Sequence, residues 1–209
     1  AATGKEKWKY DPKLKYNPSF QHMPCRGVSY AEAHEGDVTA DGSPVPTDDC
    51  ARRIFLPTND GRLIALKAET GEACHAFGRG GAVDLSDGMP MHELGVYEPT
   101  SPPVVTGKVV IVSGAVTDNY STHEPSGVTR AYDLYTGRLV WAFDTGNPNP
   151  NELPSDTHHY VPNSPNSWIT SAYDAKLNLI YIPTGVATPD IWGGHRSEDQ
   201  ERYASGILA

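Results

Sequence analysis

The chain has 209 residues, with 17 Lys and Arg against 26 Asp and Glu and a formal net charge of -9. That balance argues against non-specific binding to nucleic-acid phosphates, and no apolar run reaches the ~18 residues that a membrane-spanning helix needs. A hydrophobic share of 38% is enough for a core, while 20 Gly and 18 Pro make the chain turn-rich and argue against long helices.

In chain order, the sequence opens on AATGKEKW, ending at Trp8. A loop-like stretch QHMPCRGVSY follows at 21–30. Residues 35–49 are acidic and rich in Gly and Pro. They read as a solvated surface loop, and their carboxylate spacing does not match a calcium-binding loop. A β-rich run, RRIFLP at 52–57, precedes IALKAETGEACH at 64–75. A second run, KVVIVSGA at 108–115, precedes RAYDLYTGRLVW at 130–141. The apolar stretch 109–112 predicts a strand buried on both faces. The Pro- and Asn-rich segment 146–156 predicts a loop. A third run, LNLIYIPTG at 177–185, leads to GILA, ending at Ala209.

These segments are copies of one motif with a period of about 65 to 80 residues. Each readable copy carries Thr-Gly and, four residues after the Gly, Trp8, His75 or Trp141. Thr-Gly suits a tight hairpin, because Gly71 and Gly137 take positive φ at no steric cost. Ala65 and Ala131 leave room for a large neighbour, and Trp8 and Trp141 are flat hydrophobes able to dock between stacked units. Such a unit cannot bury both faces alone, so neighbours must stack, and a ring of them leaves only short edges. The predicted fold is therefore all-β, a partial β-propeller with about three blades present. His75 marks a degenerate copy. The motif is interrupted at both ends, so residues 1–209 are expected to be an internal piece of one longer domain, which leaves a signal peptide unjudged. Of Cys25, Cys50 and Cys74, the second and third can pair in an oxidising compartment, or all three can be buried thiols; the sequence leaves both open.

Long loops at 21–30, 97–103, 116–122, 163–168 and 184–194 separate the repeats, and loops at one end of a rigid β scaffold commonly carry binding residues. The Thr-Gly…Trp repeat resembles the tryptophan-docking motif of quinoprotein dehydrogenases, which use pyrroloquinoline quinone (PQQ). The loops HMPCRGVSY, GVYEPTSPP, VTDNYS, SPNSW and TPDIWGG resemble the membrane-bound branch that groups glucose, quinate and shikimate dehydrogenases, and are most similar to its glucose members. The resemblance covers nearly the whole chain and implies a ring of roughly eight blades.

That resemblance implies roles for particular residues. Trp168 corresponds to the tryptophan supporting one face of the PQQ ring system. His22 and Arg26 correspond to cofactor-site residues, and a guanidinium fork suits the carboxylates and quinone oxygens of PQQ. Asp118, Asn119 and Thr188 correspond to polar residues that contact PQQ and a Ca²⁺ or Mg²⁺ ion, hard cations that take oxygen donors. The cation acts in the family as a Lewis acid on the quinone carbonyl. The sequon at Asn119 is read as chance. PQQ alcohol dehydrogenases carry adjacent cysteines over one cofactor face; none occur here, and His22 fits the glucose branch instead. Asp190 lies in a loop that matches a structural segment and is not read as the catalytic base, which is expected to be an Asp after Ala209. His158 and His159 read as loop residues.

The implied activity is oxidation of a sugar or polyol, D-glucose to its lactone, with electrons passed to ubiquinone. The implied location is the periplasmic face of the bacterial inner membrane, through an N-terminal membrane segment outside this sequence. Quinate or shikimate oxidation, and a non-enzymatic propeller scaffold, are the alternatives. The piece by itself is expected to be inactive and poorly soluble, with exposed faces and sheet edges.

Overall fold

A computed structural model describes residues 3–14, 20, 21, 23, 25–46, 50–91, 93 and 95–209. The strands in chain order are β1 (Ser29–Glu32), β2 (Arg52–Thr58), β3 (Arg62–Lys67), β4 (Ala82–Asp84), β5 (Tyr97–Glu98), β6 (Val104–Val105), β7 (Val109–Val112), β8 (Ala115–Val116), β9 (Thr129–Asp133), β10 (Leu139–Phe143), β11 (Ala172–Asp174), β12 (Leu179–Pro183) and β13 (Ile207–Leu208). One helical turn, α1 (Glu198–Arg202), lies before β13. It starts at Ser197, whose hydroxyl accepts from Gln200 N–H while the Gln200 side chain accepts from Ser197 N–H.

Among the described residues the strands form small antiparallel sheets. One has the order β1-β2-β3-β4, a second β10-β9-β7-β6, a third β11-β12-β13, and β5 pairs with β8 in a ribbon. This all-β arrangement is consistent with part of a β-propeller. The buried residues of β2, β3, β7 and β9 build one core, centred on Phe55, Leu63, Val110, Val112 and Tyr132. The run at 109–112 is buried from Val110 onward, close to its reading as a two-sided strand. Every residue of β9 is buried.

The Thr-Gly turns at Gly71 and Gly137 share a backbone bond, Gly71 N–H donating to Lys67 O (2.9 Å) and Gly137 N–H to Asp133 O (3.0 Å), and the second turn adds a carboxylate where the first has Lys67. Asp133 Oδ1 accepts from Tyr135 N–H (3.0 Å), Thr136 N–H (2.7 Å) and Thr136 Oγ1 (2.8 Å), and Gly137 follows at φ 71°. Each turn sits against another repeat. Trp8 Nε1 donates to Ala68 O at 3.0 Å, and a Cβ on Gly71 would meet the Trp8 ring at 2.7 Å. Gly78 N–H donates to Thr136 O at 2.8 Å. His75 is exposed, and the buried aromatic of its copy is Phe77, 5.4 Å from Phe55 between ring centroids. Phe77 holds the same place in its copy as Phe143 does two residues after Trp141, so it does not stand in for the missing tryptophan.

Two arginines are buried inside this core. Arg53 donates to Cys50 O, Leu134 O and Tyr135 O. Arg130 donates to Leu85 O (2.8 Å) and Asp87 O (3.1 Å), with its guanidinium 5.2 Å from the Tyr97 ring centroid. Both sites follow the rule that a buried cation needs hydrogen bonds or aromatic faces.

Only half of the described residues of the acidic loop are exposed, and the loop is more than a solvated excursion. Asp37 Oδ2 accepts from Tyr135 OH (2.7 Å), Ala40 N–H donates to Asp133 Oδ2 (2.5 Å), and Asp41 pairs with Arg138 (2.7 Å). Its charge therefore fastens the segment after β1 to the β9–β10 turn; its residues 47–49 lie outside the described residues. Cys50 and Cys74 form a disulfide with Cα atoms 5.7 Å apart. Cys25 is free and exposed, which overturns the alternative of three buried thiols.

Candidate functional site

The β5–β8 ribbon fixes the site, because its register of Tyr97 opposite Val116 and Glu98 opposite Ala115 sends two of the long loops out side by side. Arg26 is drawn to the first. Its N–H donates to Thr100 O at 3.3 Å, and its Nη1 to Thr100 Oγ1 at 2.7 Å and Trp168 O at 2.9 Å. Ser101 Oγ adds a 2.8 Å bond to the same carbonyl. The Trp168 backbone is thereby held while its side chain stays open, the residue remaining 49% exposed. The Arg26 guanidinium lies 5.5 Å from the Trp168 ring centroid, within cation–π range.

The second loop carries the Asp-Asn pair. Asp118 Oδ1 accepts from Asp190 N–H at 3.1 Å, and Asn119 Oδ1 from Ile191 N–H at 3.3 Å. Both side chains thus staple the 184–194 loop to the 116–122 loop. Asn119 takes φ 66°, a left-handed conformation that Asn tolerates better than most residues. Burial, with the neighbouring Asp190 carboxylate, holds the Asp118 carboxyl above its ordinary value in spite of the Asp190 N–H bond. Thr188 is buried and precedes a cis peptide bond to Pro189.

Arg26, Thr100, Asp118, Asn166, Trp168 and Thr188 line one cleft of about 260 Å³, near the lower end of ligand sites at ~300 Å³. Four of the residues singled out from sequence, Arg26, Asp118, Trp168 and Thr188, therefore converge, and Asn119 stands beside them. His22 lies outside the described residues. Its neighbour Gln21 is bound to the site, its side chain accepting from Asp118 N–H at 3.3 Å and donating to Asp118 O at 3.4 Å.

Sequence reasoning missed Thr100 and Asn166 and treated Asp190 only as a loop residue, although it too lines the cleft. The loops holding them were legible, but no side-chain pattern distinguished them. Asn166 Oδ1 is buried with no hydrogen-bond partner among the described residues, the condition of a group awaiting a donor or a cation. No group of three or more His, Cys, Asp or Glu side chains among the described residues is placed to hold a metal. An oxygen set of one or two carboxylates with amide and hydroxyl donors is what the cleft offers, and it fits a hard divalent cation rather than zinc. A larger cavity of about 400 Å³ lies elsewhere, beside Asp60, Arg62 and Asp84. Its Arg62 is already engaged by Asp60 at 2.6 Å and by Pro12 O at 2.7 Å.

The family model described as "PQQ: Glucose/ethanol/alcohol dehydrogenase, beta-propeller domain" matches residues 1–209. The chain belongs to the PQQ-dependent quinoprotein dehydrogenases. It is 58% identical over 209 residues to a quinoprotein glucose dehydrogenase of Escherichia coli (strain K12), covering 100% of this chain and 26% of that protein. It is 36% identical over 217 residues to a quinate/shikimate dehydrogenase (quinone) of Acinetobacter baylyi, again covering 100% of this chain and 26% of the relative. A crystal structure of quinohemoprotein alcohol dehydrogenase from Comamonas testosteroni aligns with a TM-score of 0.57 at 23% identity, over 90% of this chain and 26% of that one; this is a likeness of fold. The chain thus spans about a quarter of the length of these quinoproteins, 26% in each case. PQQ is the cofactor associated with the family. The open Trp168 ring and the Arg26 fork are compatible with a flat, acidic group, and the Asn166 oxygen, without a partner among the described residues, with a cation beside it.

Proposed function

We propose that the protein containing this chain is a PQQ-dependent sugar or polyol dehydrogenase, with D-glucose as substrate and ubiquinone as electron acceptor. The observation carrying this reading is the convergence of Arg26, Asp118, Trp168 and Thr188, from four separate loops, on one cleft. A scaffold propeller needs none of them. Identities of 58%, 56% and 54% to three quinoprotein glucose dehydrogenases, against 36% to a quinate/shikimate dehydrogenase, favour glucose. The reading also includes about three blades of a ring of roughly eight, a periplasmic location and an N-terminal membrane anchor.

When bound, PQQ supplies a two-electron acceptor that no side chain can provide. The residues of this chain hold and orient. Trp168 presents a rigid face, fixed through its carbonyl by Arg26 and Ser101. Arg26, together with His22, supplies charge or hydrogen bonds to acidic oxygens. Asp118, Asn119 and Thr188 supply oxygen donors for Ca²⁺ or Mg²⁺, and Asn166 adds an amide oxygen. The base that removes the substrate hydroxyl proton is assigned to an Asp following Ala209. Asp190 stays a loop residue, its carbonyl capped by Arg196 at 3.0 Å.

The test uses the full-length protein, titrated with PQQ and Ca²⁺ or Mg²⁺ and assayed by dye reduction with D-glucose and with quinate. PQQ-dependent reduction, faster with glucose, is expected. Faster quinate turnover would move the substrate, and no PQQ-dependent reduction with any sugar or polyol would overturn the dehydrogenase reading.

A further inference from the structure

We infer that Asn163 is a positioning residue that locks three loops of the cofactor site into one unit and aims the Thr188 hydroxyl; the inference rests on the PQQ and cation reading above. Asn163 is 2% exposed. Its Nδ2 donates to Thr188 O at 2.8 Å and to Thr188 Oγ1 at 3.3 Å. Its Oδ1 accepts from Glu124 N–H at 3.2 Å. Its own N–H donates to Glu124 O and Pro125 O, both at 3.1 Å, and its carbonyl accepts from Thr188 N–H at 3.2 Å. Every polar group of this one residue is therefore spent on joining the loop after Asn119 to the loop of Thr188, while its own loop leads to Trp168.

Glu124 extends the lock toward the Asp-Asn pair. It is 2% exposed, and its Oε1 accepts from Tyr120 N–H (2.8 Å) and Ser121 N–H (2.9 Å), the two residues after Asn119. A continuous path thus runs from the 118–121 turn through Glu124 and Asn163 to Thr188.

The residue type follows from the geometry. Asn163 sits at φ 63°, which favours Asn or Gly. Gly would fit the backbone but bring no side chain, and Asp would keep the acceptor and lose the donor. By accepting from Nδ2 with one lone pair, Thr188 Oγ1 keeps a second lone pair for a cation. A group that orients a ligand in this way is worth about 10- to 100-fold in metal affinity.

The experiment measures the Ca²⁺ concentration giving half-maximal PQQ binding to the full-length protein, followed by quenching of tryptophan fluorescence, with melting temperature recorded in parallel. Asn163→Gly, which suits the backbone, is expected to raise it about 10- to 100-fold. Asn163→Asp is the second variant. Its added carboxylate by charge alone would favour a cation, so weaker binding isolates the missing donor. Combined with Thr188→Val, either variant is expected to weaken Ca²⁺ no further than Thr188→Val alone, because both act through one hydroxyl. A purely structural role would instead lower the melting temperature and add to the Thr188 effect. Half-saturation within threefold of wild type in a folded Asn163 variant, tighter binding, or losses that multiply with Thr188→Val overturn the inference. Absence of PQQ binding in the wild type overturns the cofactor reading itself and takes the inference with it.

Discussion

Replacing Trp168 with Ala separates a cofactor face from a core residue. The structure supplies the size of the effect. Trp168 is 49% exposed, so of the ~250 Å² that a Trp can bury, roughly 120 Å² is free to be covered by a ligand. At ~25 cal/mol per Å² that area is worth about 3 kcal/mol, or two powers of ten in affinity. The backbone of the loop should survive, since Arg26, Thr100 and Ser101 all donate to the Trp168 carbonyl rather than to its ring. Trp168→Ala in the full-length protein is therefore expected to weaken PQQ binding about 100-fold with little change in melting temperature. Trp168→Phe should lie between. Equilibrium dialysis against PQQ at saturating Ca²⁺, read by PQQ absorbance, measures this without relying on tryptophan emission. Affinity within threefold of wild type, or a large fall in melting temperature with unchanged affinity, would refute the assignment.

Three further outcomes are expected. Loss of the Cys50–Cys74 bridge by a double Ser substitution should cost about 3 kcal/mol, since the bridge spans 24 residues, and alkylation of the native protein should label Cys25 while sparing the other two. Arg130→Met strands the carbonyls of Leu85 and Asp87 and should lower stability by about 1 to 3 kcal/mol or more; an unchanged melting temperature would show that the buried cation contributes nothing net. Burial pushes the Asp144 carboxyl above its ordinary 3.8 even though Val161 N–H, Ser164, Gly146 N–H and Ser126 bond to it. The folded state then holds this proton more tightly than the unfolded state, so the group's contribution is full below pH ~4 and lost as pH rises through the folded pKa. Asp144→Asn should flatten that part of the profile of melting temperature against pH, and an unaltered slope would count against it.

The repeat was readable because its turn chemistry is local. Asp133, Thr136 and Gly137 satisfy one another within five residues, and Trp8 meets Gly71 for steric reasons that the Gly itself announces. The four sequence-named residues that line the cleft came instead from the resemblance of their loops to the quinoprotein dehydrogenases, and local pattern reading did not single them out. It failed where the partner is remote in sequence. Nothing in EGDVTADGSPVPTDD indicates that Asp37 will accept from Tyr135, 98 residues away. Nothing in NSPNSW separates Asn163, which ties loops together, from Asn166, which lines the cleft with an oxygen that has no partner among the described residues. His75 is exposed, in keeping with a degenerate docking position, while the packing of Phe77 against Phe55 is a contact that the motif does not announce. Short-range patterns report backbone conformation; the roles of polar side chains are set by what the fold brings within 3 Å of them.

That distinction also explains how the site is built. Its loops are joined by isolated backbone bonds, such as Thr188 N–H to Asn163 O and Gly185 N–H to Asn166 O, and by side chains: Gln21 to Asp118, Asp118 to Asp190, Asn119 to Ile191, Asn163 to Thr188. Backbone ladders would fix the loops but spend no side chain on recognition. Here the same carboxylate and amide groups that draw the loops together also face, or stand next to, the cleft. Asp118 shows the consequence. One of its oxygens is used as a staple, and burial beside Asp190 raises its pKa. A divalent cation reverses both penalties, by neutralising the paired charge and favouring the ionised form. Cation binding should therefore tighten the 116–122 and 184–194 loops together, and not merely fill a preformed hole. Hydrogen exchange of the Asp190 and Ile191 amides in the full-length protein is the direct measure. Both should slow when Ca²⁺ and PQQ are added to wild type and should stay fast in Asp118→Ala. Equal protection with and without the cation would mean that the hydrogen-bonded loops are already rigid, and that the raised Asp118 pKa reflects burial with no part in binding.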